Sequence, residues 1–186
     1  MLCRSRTLFA TILLVVIGPA IGANLPASAR KIDNADFRLV LIPRTPEQMA
    51  AFYEARGFPK PALQLLRNLC FITIGFKNKS RDIIWLNLDK WYFYTNNSFV
   101  QRIHRSEWPA RWKRLELPKN LQATFRWTLL PETLDFRPQE EEGGNIILPR
   151  LTTPITLVAS FPRGRNKQHP PLEVTVDKLS CAVDPS

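Results

Sequence analysis

The chain has 186 residues, a formal net charge of +10 and an apolar fraction of 45%. This composition is sufficient for one domain with a hydrophobic core, and no stretch beyond the first thirty residues approaches the length that spans a membrane. The positive charge favours anionic neighbours such as phosphorylated lipids, lipopolysaccharide, acidic polymers or nucleic acid, although it also fits a basic exported protein that is simply soluble.

The first thirty residues have the three parts of a secretory signal peptide. Arg4 and Arg6 form a basic start, an apolar run follows over 8–17, and small residues lead to Ala23 and Ala29. The alternative is an uncleaved membrane anchor, but the apolar run is shorter than the ~20 residues that a transmembrane helix needs. We therefore predict cleavage after one of these two alanines.

Cleavage after Ala23 gives a signal peptide of residues 1–23, with a cut after Ala29 as the alternative, and a single domain over residues 30–186. The loss of two arginines changes the charge from +10 to +8, because 10 − 2 = 8. The predicted location is periplasmic or secreted, with no transmembrane span after cleavage.

Cys70 and Cys181 are the two cysteines that remain after the predicted cleavage. An even pair in an oxidising compartment predicts a structural disulfide. Such a bond would close a loop of more than a hundred residues, and the chain-entropy model gives about 4–5 kcal/mol of stabilisation for it. A reactive free pair is the alternative, but the two residues form no Cys-x-x-Cys motif.

The beginning of the domain predicts a strand and then a helix. The strand covers 36–42 and ends at Pro43. The helix opens at Thr45 with a capping box and ends at Gly57. Its apolar stripe consists of Met49, Phe52 and Tyr53. We expect an extended segment over 58–61, because a residue that precedes proline avoids helical geometry.

From residue 69 onward the β signals dominate. In the run over 69–76, Cys70, Ile72, Ile74 and Phe76 lie on one face, and Asn96-Asn97-Ser98 is typical of a hairpin turn. Further strands are expected at 83–86, 91–94, 99–103, 123–129, 146–148, 155–161 and 172–179. The pattern predicts a mainly β fold, an antiparallel, immunoglobulin-like β-sandwich with one short N-terminal helix.

Three segments, 48–59, 125–132 and 143–146, resemble a set of uncharacterised exported proteins of Gram-negative bacteria. The resemblance covers most of the chain after the signal peptide and implies a periplasmic location. No function and no site residue come with it.

A basic-aromatic segment over residues 102–114 is the most suggestive candidate for binding. Arginine binds phosphate through two hydrogen bonds, and tryptophan stacks on rings or lies at lipid interfaces. One helical turn would place Trp108 and Trp112 on the same face. The alternative is that both rings belong to the core and are covered by arginine stems. The candidate contact residues are Arg102, Arg105, Trp108, Arg111, Trp112 and Arg114.

A second basic cluster, over residues 163–169, reads as a hairpin loop whose tip could meet an anionic surface. Its candidate contact residues are Arg163, Arg165 and Lys167. A solvated loop that resists aggregation is the alternative. Neither basic cluster matches a nucleic-acid-binding module, so we predict no specific nucleic-acid partner.

Five acids precede a glycine pair, Gly143-Gly144, and paired carboxylates can perform acid-base chemistry or bind calcium. They are Glu132, Asp135, Glu140, Glu141 and Glu142. An exposed charged loop that ends at the glycines is the alternative. Glu132 stands out because it directly follows a buried-looking segment. With no motif for hydrolysis, phosphate or metal, and with only His104 and His169 as histidines, we predict no cofactor and no metal site.

These observations predict an exported, non-enzymatic binding or assembly protein of the bacterial envelope, whose partner is an envelope protein or an anionic component. The first alternative is recognition of an anionic glycan or phosphorylated lipid headgroup through the basic-aromatic segment. The second is a carboxylate-dependent hydrolase that uses the acids from Glu132 to Glu142.

Overall fold

The computed structural model describes residues 25–96 and 98–185. The predicted signal peptide, residues 1–23, lies outside this part of the chain. The fold of the described residues is mainly β with two antiparallel sheets, as expected, but it has four helices where the sequence predicted one. Within the described residues, no helix is both long enough and apolar enough to cross a membrane.

The strands and helices follow the chain in three groups. The strands are β1 (Arg30–Asp33), β2 (Phe37–Arg44), β3 (Leu69–Asn78), β4 (Ile84–Asn87), β5 (Trp91–Thr95), β6 (Ser98–Val100), β7 (Thr133–Phe136), β8 (Glu141–Pro149), β9 (Ile155–Arg163) and β10 (His169–Leu179). The helices are α1 (Pro46–Glu54), α2 (Lys60–Arg67), α3 (Trp108–Arg114) and α4 (Lys119–Thr128).

One sheet has four strands in the order β1-β2-β3-β8, and all its neighbours are antiparallel. The other has six strands, in which β9 pairs with β4, β5 and β10, while β6 and β7 extend from β5 and β4. A 3-10 turn at Leu88–Lys90 separates β4 from β5. Because of this turn, the short strands β4 and β5 both pair with the same edge of β9, and on their other sides they pair with β7 and β6.

Apolar side chains from both sheets meet in one cluster, which we call the sheet core. The Phe76 ring of the four-stranded sheet lies 4.6 Å from the ring of Phe136 and 5.1 Å from that of Phe161, between ring centroids. The predicted disulfide is confirmed, since Cys70 and Cys181 are bonded across a separation of 111 residues. Cys70 itself is buried in the sheet core.

The four helices cover the outer face of the four-stranded sheet. Successive side chains of β3 point to opposite faces of this sheet. Cys70 and Ile72 belong to the sheet core on one face, while Leu69 and Phe71 belong to a second cluster on the other face. This helical cluster also contains buried side chains from all four helices, among them Tyr53, Leu66, Trp108, Trp112 and Phe125. The middle of the four-stranded sheet is therefore buried on both faces.

Helix α1 confirms the predicted start, but it ends at Glu54, before the predicted stop at Gly57. Thr45 accepts a hydrogen bond from the Gln48 amide, and the Gln48 side chain accepts one from the Thr45 amide, so the capping box is complete. Gly57 adopts the positive φ of +82° that ends the helix region. The predicted apolar stripe was wrong at Phe52, which is 36% exposed and lies under the Arg56 guanidinium.

The extended segment predicted over 58–61 was wrong, because α2 begins at Lys60 after Pro59. Pro61 lies in the first turn of this helix, where the missing amide hydrogen leaves no intrahelical bond unmade. The strand predicted over 36–42 also continues through Pro43 to Arg44. Strand β1 pairs with β2 only as far as Leu41, so no strand within residues 25–96 and 98–185 lies beside Pro43 on that side of β2.

The strand predicted over 123–129 was wrong, because most of this segment is the last part of α4. Phe125 and Leu129 are buried four residues apart, whereas Trp127 is 86% exposed. The burial of this segment therefore follows the spacing of a helix and not the alternation of a strand. The predicted hairpin joins β5 to β6, with Asn96 at a φ of +46°.

Candidate binding cleft

The tryptophans of the basic-aromatic segment are core residues. A 3-10 turn at Arg105–Glu107 leads into α3, whose first turn contains Pro109. Trp108 and Trp112 lie on the same helical face, as predicted, and both are buried in the helical cluster. Their ring centroids lie 4.3 and 4.9 Å from that of Phe125 in α4. The aromatic pair thus joins α3 to α4.

A cavity of about 670 Å³ lies beside this junction, and we call it the helical cleft. Its walls come from the Arg105–Trp112 region, from α4 and from the segment that joins α4 to β7. Trp108, Phe125 and Leu129 supply apolar walls, while Arg105 and Arg126 supply cationic groups. A largely apolar cavity of this volume with a few polar groups is typical of small-molecule sites.

An ion pair between Arg102 and Glu132 fixes one side of the cleft. Arg102 is only 6% exposed, and its Nη2 and Nη1 donate to the two carboxylate oxygens of Glu132 at 2.5 and 3.1 Å. The Arg105 amide donates to Glu132 Oε1 at 2.8 Å. Burial by itself would raise the pKa of Glu132, but the hydrogen bonds from Arg102 and Arg105 outweigh it and lower that pKa. Glu132 is therefore held ionised.

Two further arginines lie at the cleft without a matching acid. Arg105 Nη2 donates to the Arg126 carbonyl at 2.6 Å, which fixes its guanidinium against the end of α4. Burial lowers the pKa of Arg105, and the nearby Arg126 charge lowers it further against the opposing effect of Glu132. No carboxylate in the described residues lies within salt-bridge distance of Arg105 or Arg126.

Asp89, His104 and Glu132 bring potential metal-ligating atoms within 4.8 Å of one another. Arg102 already contacts two of these three side chains, since Nη2 lies 3.2 Å from His104 Nδ1 and 2.5 Å from Glu132 Oε2. Its guanidinium supplies the positive charge that a metal ion would otherwise bring, and a second cation there would be repelled. This group of side chains fits an arginine better than a metal.

The glycine pair does not end an exposed loop, as one interpretation of the sequence expected. Gly143 and Gly144 lie inside β8, and the Leu129-Leu130 backbone crosses Gly144 closely. A Cβ atom on Gly144 would lie 2.5 Å from the Leu130 nitrogen. The Leu130 amide donates to the Asn145 carbonyl at 3.0 Å. This contact fixes the segment between α4 and β7 against β8, and two residues of that segment, Leu129 and Glu132, line the cleft.

The acidic residues are not assembled as the hydrolase hypothesis requires. Of the five, only Glu132 lines the helical cleft. Asp135 and Glu140 are exposed, as are Glu141 and Glu142 on β8. The hypothesis also needs one raised carboxyl pKa in a shared cleft, whereas the pKa of Glu132 is lowered.

The cleft contains only part of the predicted contact set. Arg105, Trp108 and Trp112 line it, and Arg102 supports it through Glu132. Arg111 instead pairs with Glu107 at 3.2 Å, and Arg114 is exposed at the end of α3.

The second basic cluster lies elsewhere, at the β9–β10 hairpin. Arg163 forms ion pairs with Asp36 and Asp82 at 3.7 and 3.8 Å, and Lys167 Nζ lies 4.7 Å from the Trp85 ring centroid. Arg165 is exposed in the loop. Because Arg163 is the register partner of Ile84, this hairpin adjoins the end of the β4–β7 pair opposite the cleft residue Thr133.

Sequence reasoning missed Arg126 because it placed this residue on a strand. Leu121, Phe125 and Leu129 recur every four residues, a spacing typical of a helix, and this signal was available in the sequence. In the observed helix, Phe125 is buried and Arg126 is exposed, and Arg126 lines the same cleft as Arg105.

No protein-family model matches the chain, and no curated protein matches its sequence. Solved structures that are distantly similar to it include two from Bacillus subtilis. The yjhA protein from Bacillus subtilis is 9% identical over 70% of this chain and 76% of its own, with a TM-score of 0.41. The ycdA protein from Bacillus subtilis is 8% identical over 80% of this chain and 38% of its own, with a TM-score of 0.43. Similarity at this level carries no argument about function.

Proposed function

We propose that the protein is an exported, non-enzymatic binding protein of the bacterial envelope and that its ligand occupies the helical cleft. The observation that carries the proposal is the cavity of about 670 Å³, which combines aromatic walls with two arginines. Its volume falls within the range of small-molecule sites. Glu132 is engaged by Arg102 and held ionised, so it is poorly suited to act as a general acid near neutral pH.

The proposed export is supported by the signal-like sequence at the start of the chain and by the Cys70–Cys181 disulfide, since such bonds persist in oxidising compartments. We further propose that the two sheets form an immunoglobulin-like sandwich. Contacts between facing sheets support this assignment, for example the 5.9 Å separation of the Phe37 and Phe161 ring centroids. The four helices would then be an added layer on one face.

A second candidate function, assembly with an envelope protein, is favoured by the outer face of the six-stranded sheet. Tyr92 pairs with Val158 there, and Tyr94 pairs with Phe99. Tyr92, Val158 and Phe99 are all exposed. A contiguous apolar patch on an exposed sheet face is typical of a protein contact.

The proposal that the cleft holds a ligand can be tested by filling the cleft with a large side chain. Ala123 is exposed and lines the cleft, so Ala123→Trp should block it without disturbing buried residues. Ala110 is exposed on α3 and is not among the cleft residues, which makes Ala110→Trp the matched control. The wild type and both variants would be purified from the periplasm of a Gram-negative host and extracted with solvent for mass spectrometry.

We expect one compound class to be recovered from the wild type and from Ala110→Trp, and to be lost from Ala123→Trp. Equal recovery from all three proteins, or recovery from none, would contradict the proposal. A protein partner that binds the outer sheet face would be retained by all three, so co-purification of such a partner alone would favour the assembly function.

A further inference from the structure

The helical cleft has an uncompensated positive charge. Its three charged lining residues are Arg105, Arg126 and Glu132. The Glu132 carboxylate is fully engaged by both terminal nitrogens of Arg102 and by the Arg105 amide. Arg102, behind the cleft wall, thus neutralises Glu132. Arg105 and Arg126 line the cavity without an ion-pair partner among the described residues.

The fold sets the position of the Arg105 side chain, whereas Arg126 is an exposed residue of α4 at the cleft. Arg105 is half-buried, and its hydrogen bond to the Arg126 carbonyl holds it beside α4. Bringing two like charges together in a partly desolvated site is unfavourable unless an anion lies near both. Guanidinium groups bind compact oxyanions such as phosphate and carboxylate through paired hydrogen bonds.

The rest of the cleft is apolar. Trp108 and Phe125 present aromatic surface, and Leu129 adds aliphatic surface at the end of α4. The indole nitrogens of Trp108 and Trp112 are buried without hydrogen-bond partners but have almost no accessible surface, so they do not contribute donors to the cavity. A free inorganic ion would leave the apolar walls unused. A ligand with an apolar body would cover them.

We infer that the helical cleft binds an amphiphilic anion, with a compact oxyanion between Arg105 and Arg126 and an apolar body against Trp108, Phe125 and Leu129. This inference rests on the proposed binding function and specifies its ligand class. Phosphorylated lipids and free organic phosphates or carboxylates share this chemistry.

The experiment is calorimetric titration of the purified, disulfide-bonded protein with three probes. Octyl phosphate carries both features of the ligand, octyl glucoside carries the apolar chain without a charge, and inorganic phosphate carries the charge without the chain. The variants are Arg105→Gln and Arg126→Gln, with Arg114→Gln as the control because Arg114 is exposed on α3 and is not a cleft residue. Replacing the Arg126 side chain leaves its carbonyl free to accept from Arg105, so this variant should fold normally.

We expect octyl phosphate to bind most tightly and its affinity to fall as salt is raised. Each cleft variant should weaken it by about tenfold or more, the usual effect of losing a charge-assisted hydrogen bond, and Arg114→Gln should leave it unchanged. Sedimentation with vesicles that contain phosphatidic acid would then identify a membrane lipid as the source. Binding of octyl phosphate without sedimentation would identify a free amphiphile.

Three results would overturn the inference. In the first, octyl glucoside and octyl phosphate bind equally, and binding is unaffected by the arginine variants but abolished by Ala123→Trp. This result would support the binding function and contradict recognition of an anionic group. Equal binding of inorganic phosphate and octyl phosphate would remove the apolar body. No binding of any probe would count against the cleft as a binding site altogether.

Discussion

The sheet core and the helical cluster lie on opposite faces of the four-stranded sheet, yet they are packed differently. Next to the sheet core, the buried Asn78 amide nitrogen donates to the carbonyls of Asp82 and Phe136, and its oxygen accepts from Ser80. In the helical cluster, Trp108 and Trp112 keep unpartnered indole nitrogens beside a cavity. Trp91 is the one residue in the described part of the sheet core with an unpartnered side-chain nitrogen.

This contrast indicates a division of roles. The disulfide and the phenylalanine rings that cross between the sheets stabilise the fold in the sheet core. The helical cluster borders the helical cleft, which is lined by its aromatic rings and by charged residues. The proposed binding site thus lies at a cavity beside the helices and not between the two sheets.

The largest loss of stability is expected from a matched pair of phenylalanine truncations. Phe76→Ala should lower the free energy of unfolding by about 4 kcal/mol, since it leaves a closed void among three phenylalanine rings. Phe125→Ala should lower it by about 3 kcal/mol or less, because the space it opens joins an existing cavity. Urea unfolding of both variants measures the difference, and equal losses would break the distinction between the two regions.

The glycine pair links the two regions and is expected to have the next largest effect. Gly144→Ala should lower the free energy of unfolding by about 2–3 kcal/mol, because the new Cβ meets the Leu130 backbone. Gly75→Ala is the control on the neighbouring strand, where a Cβ meets nothing within 4 Å, and its change should stay within about 0.5 kcal/mol. Thermal and urea unfolding would test both. A tolerated Gly144→Ala would mean that Leu130 does not cross β8 so closely.

The smallest effect concerns the ion pair at the cleft. Glu132→Gln should lower the free energy of unfolding at pH 7 by about 2 kcal/mol, less than for a fully buried pair because Glu132 is 34% exposed. Glu107→Gln, which affects a more exposed pair with Arg111, should change it by less than about 0.5 kcal/mol.

The stabilisation that Glu132 contributes should depend on pH, and the direction of its pKa shift determines how. The pKa of Glu132 is lower in the folded protein than its ordinary value of 4.5, so its stabilisation is complete above pH 4.5 and is lost as the pH falls through the folded pKa. The wild type and Glu132→Gln should therefore converge in stability on acidification in urea unfolding series. A constant difference across the acid range would show that the interaction does not depend on ionised Glu132.

Some site features were within reach of sequence reasoning. Trp108 and Trp112 were placed on one helical face by their spacing, and the core interpretation that stood beside the contact hypothesis agrees with their burial. Glu132 was singled out by its position after an apolar segment. Arg126 was not, because a short apolar run fits a strand as well as a helix until its neighbours are known.

The sequence by itself determined the features that depend on near neighbours or on composition. The capping box of α1, the alternation along β3 and the pairing of the last two cysteines are of this kind. Only the tertiary structure decided that α4 covers the four-stranded sheet, that the Leu130 backbone packs closely on Gly144, and that Arg102 neutralises Glu132. The reason is physical: these features depend on contacts between residues distant in the chain, and local propensity does not encode which distant side chains will meet.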